Sequence, residues 1–559
     1  MNPITASANV LWVASNLPAA VRFRRALRCP AATQRRLLDR ALARDANCAY
    51  GRAHGFSGIR TYEEFARRVP LADYADQEPW IDRIVGGEEH VLTWEPVTHL
   101  VPTSGSTGPR KLIPFTAGLQ REFNAAIGPW VADLYSRLPS IALGPAYWSV
   151  TPVLTSQNPE TSALPIGFDE DTSYLGSGRK RCVDAVMAVP SELRFVKELD
   201  AFRYVTLLCL LGWRDLRLVS VWHPSFLNLL LDALPRYWDR LLADIRTGQC
   251  LHSEALPTAT RDAVKFGPMP RRAKELEGAD PRKPEMLWPV LKVISCWGDG
   301  PAEFASAELQ RRFPRTLFQS KGLLATEAFV TIPFAGMRPV AVCSHFFEFL
   351  DEQGRTHLTH ELRRHESYEV VVTTAGGLWR YRLGDRVQVT GFLGQTPSLR
   401  FLGKSGNVSD RFGEKLSEAF VAVAVQEALA TLPATPRFVL LAPDEDAVGW
   451  HYTLYLDGET TPLPVERLEA LLRKNPHYAY CRELGQLQPL RAFRIHGRGY
   501  EIFLARETSR GRREGEIKPC FLSRDAGWSQ YFAGEYENCE PRPTAIKAAS
   551  RAAGHETAT

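Results

Sequence analysis

The segment Thr103-Ser-Gly-Ser-Thr-Gly-Pro-Arg-Lys111, followed by Leu-Ile-Pro-Phe-Thr116, constrains this chain more than any other stretch. Gly105 and Gly108 allow backbone angles that other residues resist, so the loop can wrap closely round a ligand. Ser104, Ser106 and Thr107 offer hydroxyls and freed N–H groups to an anion, and Arg110 supplies positive charge. Lys111 either adds to that charge or positions the loop. The set reads as a phosphate cradle, although Gly-x-x-x-x-Gly-Lys-Ser/Thr, the Walker A pattern, is absent. A polar Gly/Ser turn has the same composition, so the rest of the chain must decide.

The surrounding pattern indicates an α/β protein of more than one domain. At 559 residues the chain exceeds a single core. Residues 290–297 are apolar and β-branched, the pattern of a buried strand, and end in Gly298-Asp-Gly300. Residues 369–374 form a second strand pattern that leads through Gly376-Gly377 into Trp379-Arg-Tyr-Arg382. Helical spacing runs through residues 31–45, Thr61 and Glu64 make a capping-box pair, and Trp222-His-Pro224 splits two apolar segments within 207–234. Strands mixed with long helices fit an α/β domain. From Gly403 the texture changes to a compact α+β unit: helix over 417–430, strand over 437–441, alternation over 450–456, helix over 465–473. The expected organisation is a large N-terminal domain of mixed sheets and helices, residues 1–403, and a smaller C-terminal domain, 404–527. A Pro/Ala/Thr/Glu-rich tail, 528–559, is expected to be disordered.

Composition excludes several classes. A net charge of +5 on this length argues against nucleic acid or an anionic membrane as partner. Ten cysteines show neither Cys-x-x-Cys nor zinc spacing, which fits reduced thiols in a cytoplasm. No apolar run is expected to reach the length of a membrane span, and residues 8–21, interrupted by Ser15, Asn16 and Pro18, lack the basic lead of a signal peptide.

Three further elements follow the loop in order: Thr326-Glu327 after Leu317-Phe-Gln-Ser-Lys-Gly-Leu-Leu-Ala325, then Tyr381-Arg-Leu-Gly-Asp385, then Gly413-Glu-Lys-Leu-Ser-Glu418. This order resembles the adenylate-forming superfamily of acyl-CoA synthetases, adenylation domains and luciferases. Lys111-Leu-Ile-Pro114, Tyr50-Gly51 with His54-Gly-Phe56, Val69-Pro70 and the Gly413–Glu418 element narrow the likeness. They resemble the Gretchen Hagen family of acyl acid amido synthetases, the auxin-responsive enzymes of plants and their bacterial relatives. The resemblance runs from about Leu37 to Leu522.

It implies an ATP-dependent ligase that adenylates a carboxylic acid and passes the acyl group to an amine such as an amino acid. The alternatives are an acyl-CoA ligase of the wider superfamily and a nucleotide-binding relative without catalysis. Among the phosphate-binding residues, Thr326 can bond the α-phosphate or the acyl oxygen. Glu327 offers hard oxygens that suit Mg²⁺, and the resemblance assigns it metal or adenylate contacts. Asp385 can hold both ribose hydroxyls, while Arg382 is expected to be structural. By resemblance, Lys415 reaches the nucleotide phosphate and Lys518, in Gly515-Glu-Ile-Lys-Pro519, is the mobile lysine that neutralises charge during adenylation. The hinge to a mobile small domain falls at Gly403-Lys-Ser-Gly406, where the family's acidic position is lost, and Leu324 replaces the aromatic expected beside adenine. Candidates for the acyl pocket are Phe123, Trp130, Tyr135, Trp148, Trp222 and Phe226. His54, His223 and His345 are candidate bases for the acceptor amine.

Overall fold

The computed structural model describes residues 3–103, 111–150, 162–166, 185–250, 256–264, 267–300, 302–430, 432–459, 463–510 and 517–537. The phosphate-loop candidates Ser104, Gly105, Ser106, Thr107 and Gly108 lie outside them. Strands β1 (Val97–Pro102) and β2 (Leu112–Thr116) form an antiparallel pair on either side of that loop. The Ala117–Arg137 helix then starts directly from β2, capped by Thr116, whose hydroxyl accepts from the Leu119 N–H.

A parallel sheet follows, ordered β3 (Ala146–Trp148), β4 (Leu218–Ser220), β5 (Val293–Cys296) and β6 (Leu317–Ser320). Its strands are short, and β3 to β5 are almost wholly buried, because helices cover both faces. The Leu199–Gly212 and Pro224–Thr247 helices share a core with Tyr147, Val219 and Ile294 on one face. The Ala117–Arg137 helix shares a core with Ala146, Leu218 and Val293 on the other. A five-stranded antiparallel sheet completes the large unit: β7 (Phe346–Leu350), β8 (Thr356–Leu358), β9 (Ser367–Thr373), β10 (Tyr381–Leu393) and β11 (Thr396–Lys404), in the order β11-β10-β9-β7-β8. Asp299, in the turn after β5, ties the two sheets together: it pairs with Arg338 and accepts from the Phe401 N–H of β11.

The N-terminal helix Pro3–Ala26 corrects one expectation. It is long and apolar enough to cross a membrane by length and composition. Here it packs along the Ala117–Arg137 helix with Trp12 and Phe23 buried. Asn9 is buried on that face and donates to the Ala142 and Gly144 carbonyls.

Past Lys404 the small unit opens with the pair β12 (Val408–Ser409) and β13 (Leu416–Ser417), then the Glu418–Leu429 helix, capped by Ser417. Its sheet is ordered β14 (Phe438–Asp446), β15 (Gly449–Asp457), β16 (Arg491–Ile495) and β17 (Gly534–Tyr536). The last strand corrects the expected tail: residues 528–537 belong to this unit. Trp528 is buried and stacks on Phe503 at 5.5 Å and Phe532 at 5.4 Å, and β17 pairs with β16. The aromatic residues Trp528, Phe532 and Tyr536 outweigh the polar composition around them, and residues 538–559 lie outside the described set.

Candidate active site

Carboxyl ends of parallel strands are where α/β proteins bind ligands, and the charged candidates gather just beyond them. The Ala325 N–H donates to the Ala328 carbonyl, which sets Thr326 and Glu327 at the tip of a tight turn after β6. His345 braces that turn. Its Nε2 accepts from the Phe329 N–H, so Nδ1 carries the proton and donates to Glu122 at 2.8 Å. Asp385 is buried in β10, directly opposite Lys404 of β11, and the Lys404 ammonium lies 2.6 Å from its carboxylate. Burial pushes the Glu327 carboxyl above its ordinary range, with Lys404 and Lys111 opposing the shift. Lys404 sits in surroundings that disfavour charge, yet Asp385 and Glu327 together hold its pKa above the ordinary value.

Lys518 reaches this cluster from the small unit. Its ammonium stands 4.6 Å from the centre of the Trp297 ring. Burial, then repulsion from Lys404, lowers its pKa, against attraction from Asp385 and Glu327. Lys415 does not join them. It is exposed on the small unit with a left-handed backbone (φ 44°), and its carbonyl accepts from Asn475. Arg382 faces the other side of β10, exposed and bidentate to Glu369 at 2.8 and 2.9 Å, as a structural residue. Lys111 lies beside the Tyr74 ring, within electrostatic range of Glu327.

Of the six acyl-pocket candidates the structure brings three together. Trp130, on the Ala117–Arg137 helix, lies edge-on to Trp148 at the end of β3, with centroids 5.7 Å apart. Trp130 and Trp222 both approach the ammonium of Lys321, at 5.8 and 4.6 Å. The other three lie elsewhere. Phe123 packs on Phe115, Phe329 and His345 behind the Thr326-Glu327 turn. Tyr135 is buried against the N-terminal helix, beside Trp12 and bonded to Asn9. Phe226 packs on Phe202 in the core on the far side of the parallel sheet. Helical rotation and strand alternation account for the split: side chains five residues apart on one helix point to different neighbours.

The histidines are not poised as bases. His54 lies against Tyr50 with its Nδ1 at the Arg68 carbonyl, and both ring nitrogens of His345 are engaged. His223 caps the Pro224–Thr247 helix: its Nδ1 accepts from the Ser225 N–H, so Nε2 carries the proton. Burial first, and Lys518 second, push its pKa down to about 3.

The GH3 family N-terminal domain matches residues 19–316, and the GH3 family central domain matches 339–404. The chain belongs to the GH3 family. A probable indole-3-acetic acid-amido synthetase of Oryza sativa subsp. japonica is 29% identical over 470 residues, covering 73% of this chain and 75% of the relative. An indole-3-acetic acid-amido synthetase of Arabidopsis thaliana is 25% identical over 502 residues, covering 77% and 78%. Among solved structures, GH3.15 acyl acid amido synthetase superposes with a TM-score of 0.76 at 22% identity, over 90% of this chain and 94% of that one. A 2-hydroxyisobutyryl-CoA ligase in its postadenylation state reaches 0.51 at 11% identity, over 89% and 91%. This GH3 protein is therefore a ligase that makes a carbon–nitrogen bond.

The short elements of the resemblance acquire structural meaning in this GH3 chain. Tyr50 and Phe56 pack on Trp379, at 6.3 and 4.4 Å, just ahead of β10. A side chain at Gly51 would meet the Asp45 carbonyl at 2.0 Å, so only glycine fits there. Arg380 forms a buried pair with Glu348 and donates to the Val69 carbonyl. These elements thus fix the strand that carries Asp385. Sequence reasoning missed Lys404, whose pairing depends on a strand register, and Lys321, whose only signal was a lysine at the end of an apolar strand.

A magnesium ion fits the donor chemistry. Mg²⁺ is commonly held by one or two carboxylates together with substrate phosphates, and Glu327 is a carboxylate that would suit it. Among the described residues no group of three or more His, Cys, Asp or Glu forms a closed metal cage.

Proposed function

We propose that this enzyme activates an aromatic carboxylic acid as its acyl-adenylate and transfers the acyl group to an amino acid. The observation that carries this reading is the position of Lys518 on Trp297, within electrostatic range of Glu327, Asp385 and Lys404. An oxygen of the acid attacks the α-phosphorus of ATP. The new O–P bond forms as the bond to the β-phosphate bridging oxygen breaks, and pyrophosphate leaves. Negative charge accumulates on the phosphate oxygens, and a fixed cation in a water-poor site stabilises it more than it would in water. Lys518 supplies that cation. Asp385 keeps one oxygen on Lys404 and offers the other to the ribose hydroxyls. Glu327 would hold Mg²⁺, which when bound neutralises phosphate charge.

In the second half-reaction the amine nitrogen attacks the acyl carbon, the C–N bond forms, the bond to AMP breaks, and the nitrogen gives up one proton to solvent. Flat indole walls at Trp130, Trp148 and Trp222 support an aromatic acyl group. Relatives named for indole-3-acetic acid, and a GH3.15 structure in complex with 2,4-DB, lend the same support. Eight described cysteines without a disulfide fit a reducing cytoplasm.

Incubation with ATP, Mg²⁺, an aryl-acid panel and amino acids tests the reading. AMP and pyrophosphate should appear only when acid is present, and an amide should form only when amino acid is added. ADP and phosphate as products would overturn it.

A further inference from the structure

The parallel sheet presents two successive layers of side chains to the Ala117–Arg137 helix. Strand register aligns Trp148, Ser220, Ser295 and Gln319 across β3 to β6. Residues two positions on share the same face in extended chain, which aligns Trp222, Trp297 and Lys321 just above them. Backbone bonds continue the ladder through this second layer: the Trp297 N–H donates to the Trp222 carbonyl, and the Lys321 N–H to the Cys296 carbonyl. Gly322 lets the chain turn here, since a side chain would meet the Thr331 carbonyl at 2.0 Å.

The polar atoms of these layers are partly paired: the Trp297 indole N–H donates to the Asp299 carbonyl. Gln319 Oε1 accepts from Trp130 Nε1 at 2.8 Å and from Ser295 Oγ at 3.1 Å, which directs the amide NH₂ away from both. Among the described residues, the indole N–H of Trp148 and the hydroxyl of Ser220 are buried without hydrogen-bond partners. Lys321 holds its ammonium against the faces of Trp222 and Trp130. Among the described residues no carboxylate forms an ion pair with it, and its pKa is pushed by burial down to about 7. Glu327, Asp385, Lys404 and Lys518 act on one another electrostatically, whereas Cys296 is the one titratable group among the described residues that acts on Lys321. Lys321 is therefore separate from the charges that face the nucleotide.

Lys321 is half-buried, and a cation partly withdrawn from water gains from an anion beside it, while unpaired buried donors are costly. Cation–π contacts offset part of that cost. An anionic group of a ligand would satisfy the rest, and the indole rings fix the shape of what carries it. We propose that Lys321 recognises a second carboxylate on the acyl acid, so that the preferred acids are aromatic dicarboxylic acids whose second carboxylate is remote from the reacting one. The proposal rests on the adenylation reading above and assigns its acid class.

The test compares phenylacetate with its 2-, 3- and 4-carboxy derivatives in wild-type enzyme, Lys321→Met and Lys321→Arg. The first readout is acid-dependent AMP formation. At least one carboxy derivative should exceed phenylacetate in kcat/KM by about tenfold or more in the wild type, as expected for a desolvated charge pair. Lys321→Met should remove that advantage, lowering kcat/KM on the favoured carboxy derivative by about tenfold more than on phenylacetate. Lys321→Arg should restore part of it. No preference in the wild type, or equal losses on both acids in Lys321→Met, overturns the proposal. The second readout is quenching of tryptophan fluorescence by each acid, which needs no turnover. If the wild type makes no AMP with any acid, the adenylation reading fails by itself. Quenching then decides the role of Lys321: binding of a carboxy derivative about tenfold weaker in Lys321→Met supports it, and equal binding overturns it.

Discussion

At the level of single residues, the proposed nucleotide contact rests on the pair Asp385 and Lys404. The carboxylate is buried and one oxygen is held by the lysine at 2.6 Å, so a ribose can use only what remains. Asp385→Ala removes a charged acceptor, with each lost hydrogen bond worth roughly 1.5–3 kcal/mol. Isothermal titration should show ATP binding weakened by about tenfold or more, with acid selectivity little changed. Unchanged ATP affinity in a folded variant would leave Asp385 as an anchor for Lys404 alone. Lys518 supports a pH prediction. Burial and Lys404 lower its pKa from the ordinary 10.5, so it loses its proton at a lower pH than an exposed lysine. Adenylation that depends on its charge is fully present below that depressed pKa and falls as pH rises through it. In Lys518→Arg the alkaline limb of the adenylation rate should move upward, because a guanidinium stays charged. An alkaline limb that stays in place would assign it to another group.

Elements were more legible in the sequence than their partners. The helix starting at Glu418, the capping box at Thr61 and the buried strand before Gly298 all carry their own local signals: a period, a cap, a β-branched run. Register across strands carries none, which is why Lys404 opposite Asp385 and the Trp148, Ser220, Ser295 and Gln319 row emerge only from the fold. Composition misled at the C-terminus. Trp528 and Phe532 order residues 528–537 despite a polar average, because both are large and buried. Two chains ending at residues 527 and 537 test this. The shorter one loses Trp528, Phe532 and β17, and its small unit should unfold at clearly lower urea concentration. In the longer chain Trp528→Ala should cost about 3–5 kcal/mol, as for other large core truncations. Equal urea midpoints for the two lengths would return residues 528–537 to a dispensable tail.

For the whole molecule, the question is how one small unit serves two half-reactions. In the present arrangement Lys518 lies in the site on Trp297, His223 of the large unit stacks on Tyr500 of the small one, and Gln426 donates to Glu303 across the junction at 3.1 Å. Lys415 is exposed and does not join the Glu327, Asp385, Lys404 and Lys518 cluster. This arrangement suits adenylation, and a lysine held there would obstruct an incoming amine. The connection between the units begins at Ser405, and a few such loop residues can absorb the backbone change of a rotation. Rotation would withdraw Lys518 and present another surface of the small unit, the one carrying Lys415. The two lysines should therefore separate kinetically. In single-turnover assays Lys518→Ala should slow acyl-adenylate formation by about 10²-fold or more, the scale seen when one preorganised donor is removed. Transfer from a chemically prepared acyl-adenylate should be nearly unchanged. Lys415→Ala should leave adenylate formation within about threefold, as expected for a group outside the reacting geometry, and slow transfer instead. Adenylation lost equally in both variants would mean that both lysines act in one arrangement, and the rotation would then have no role in dividing the reaction.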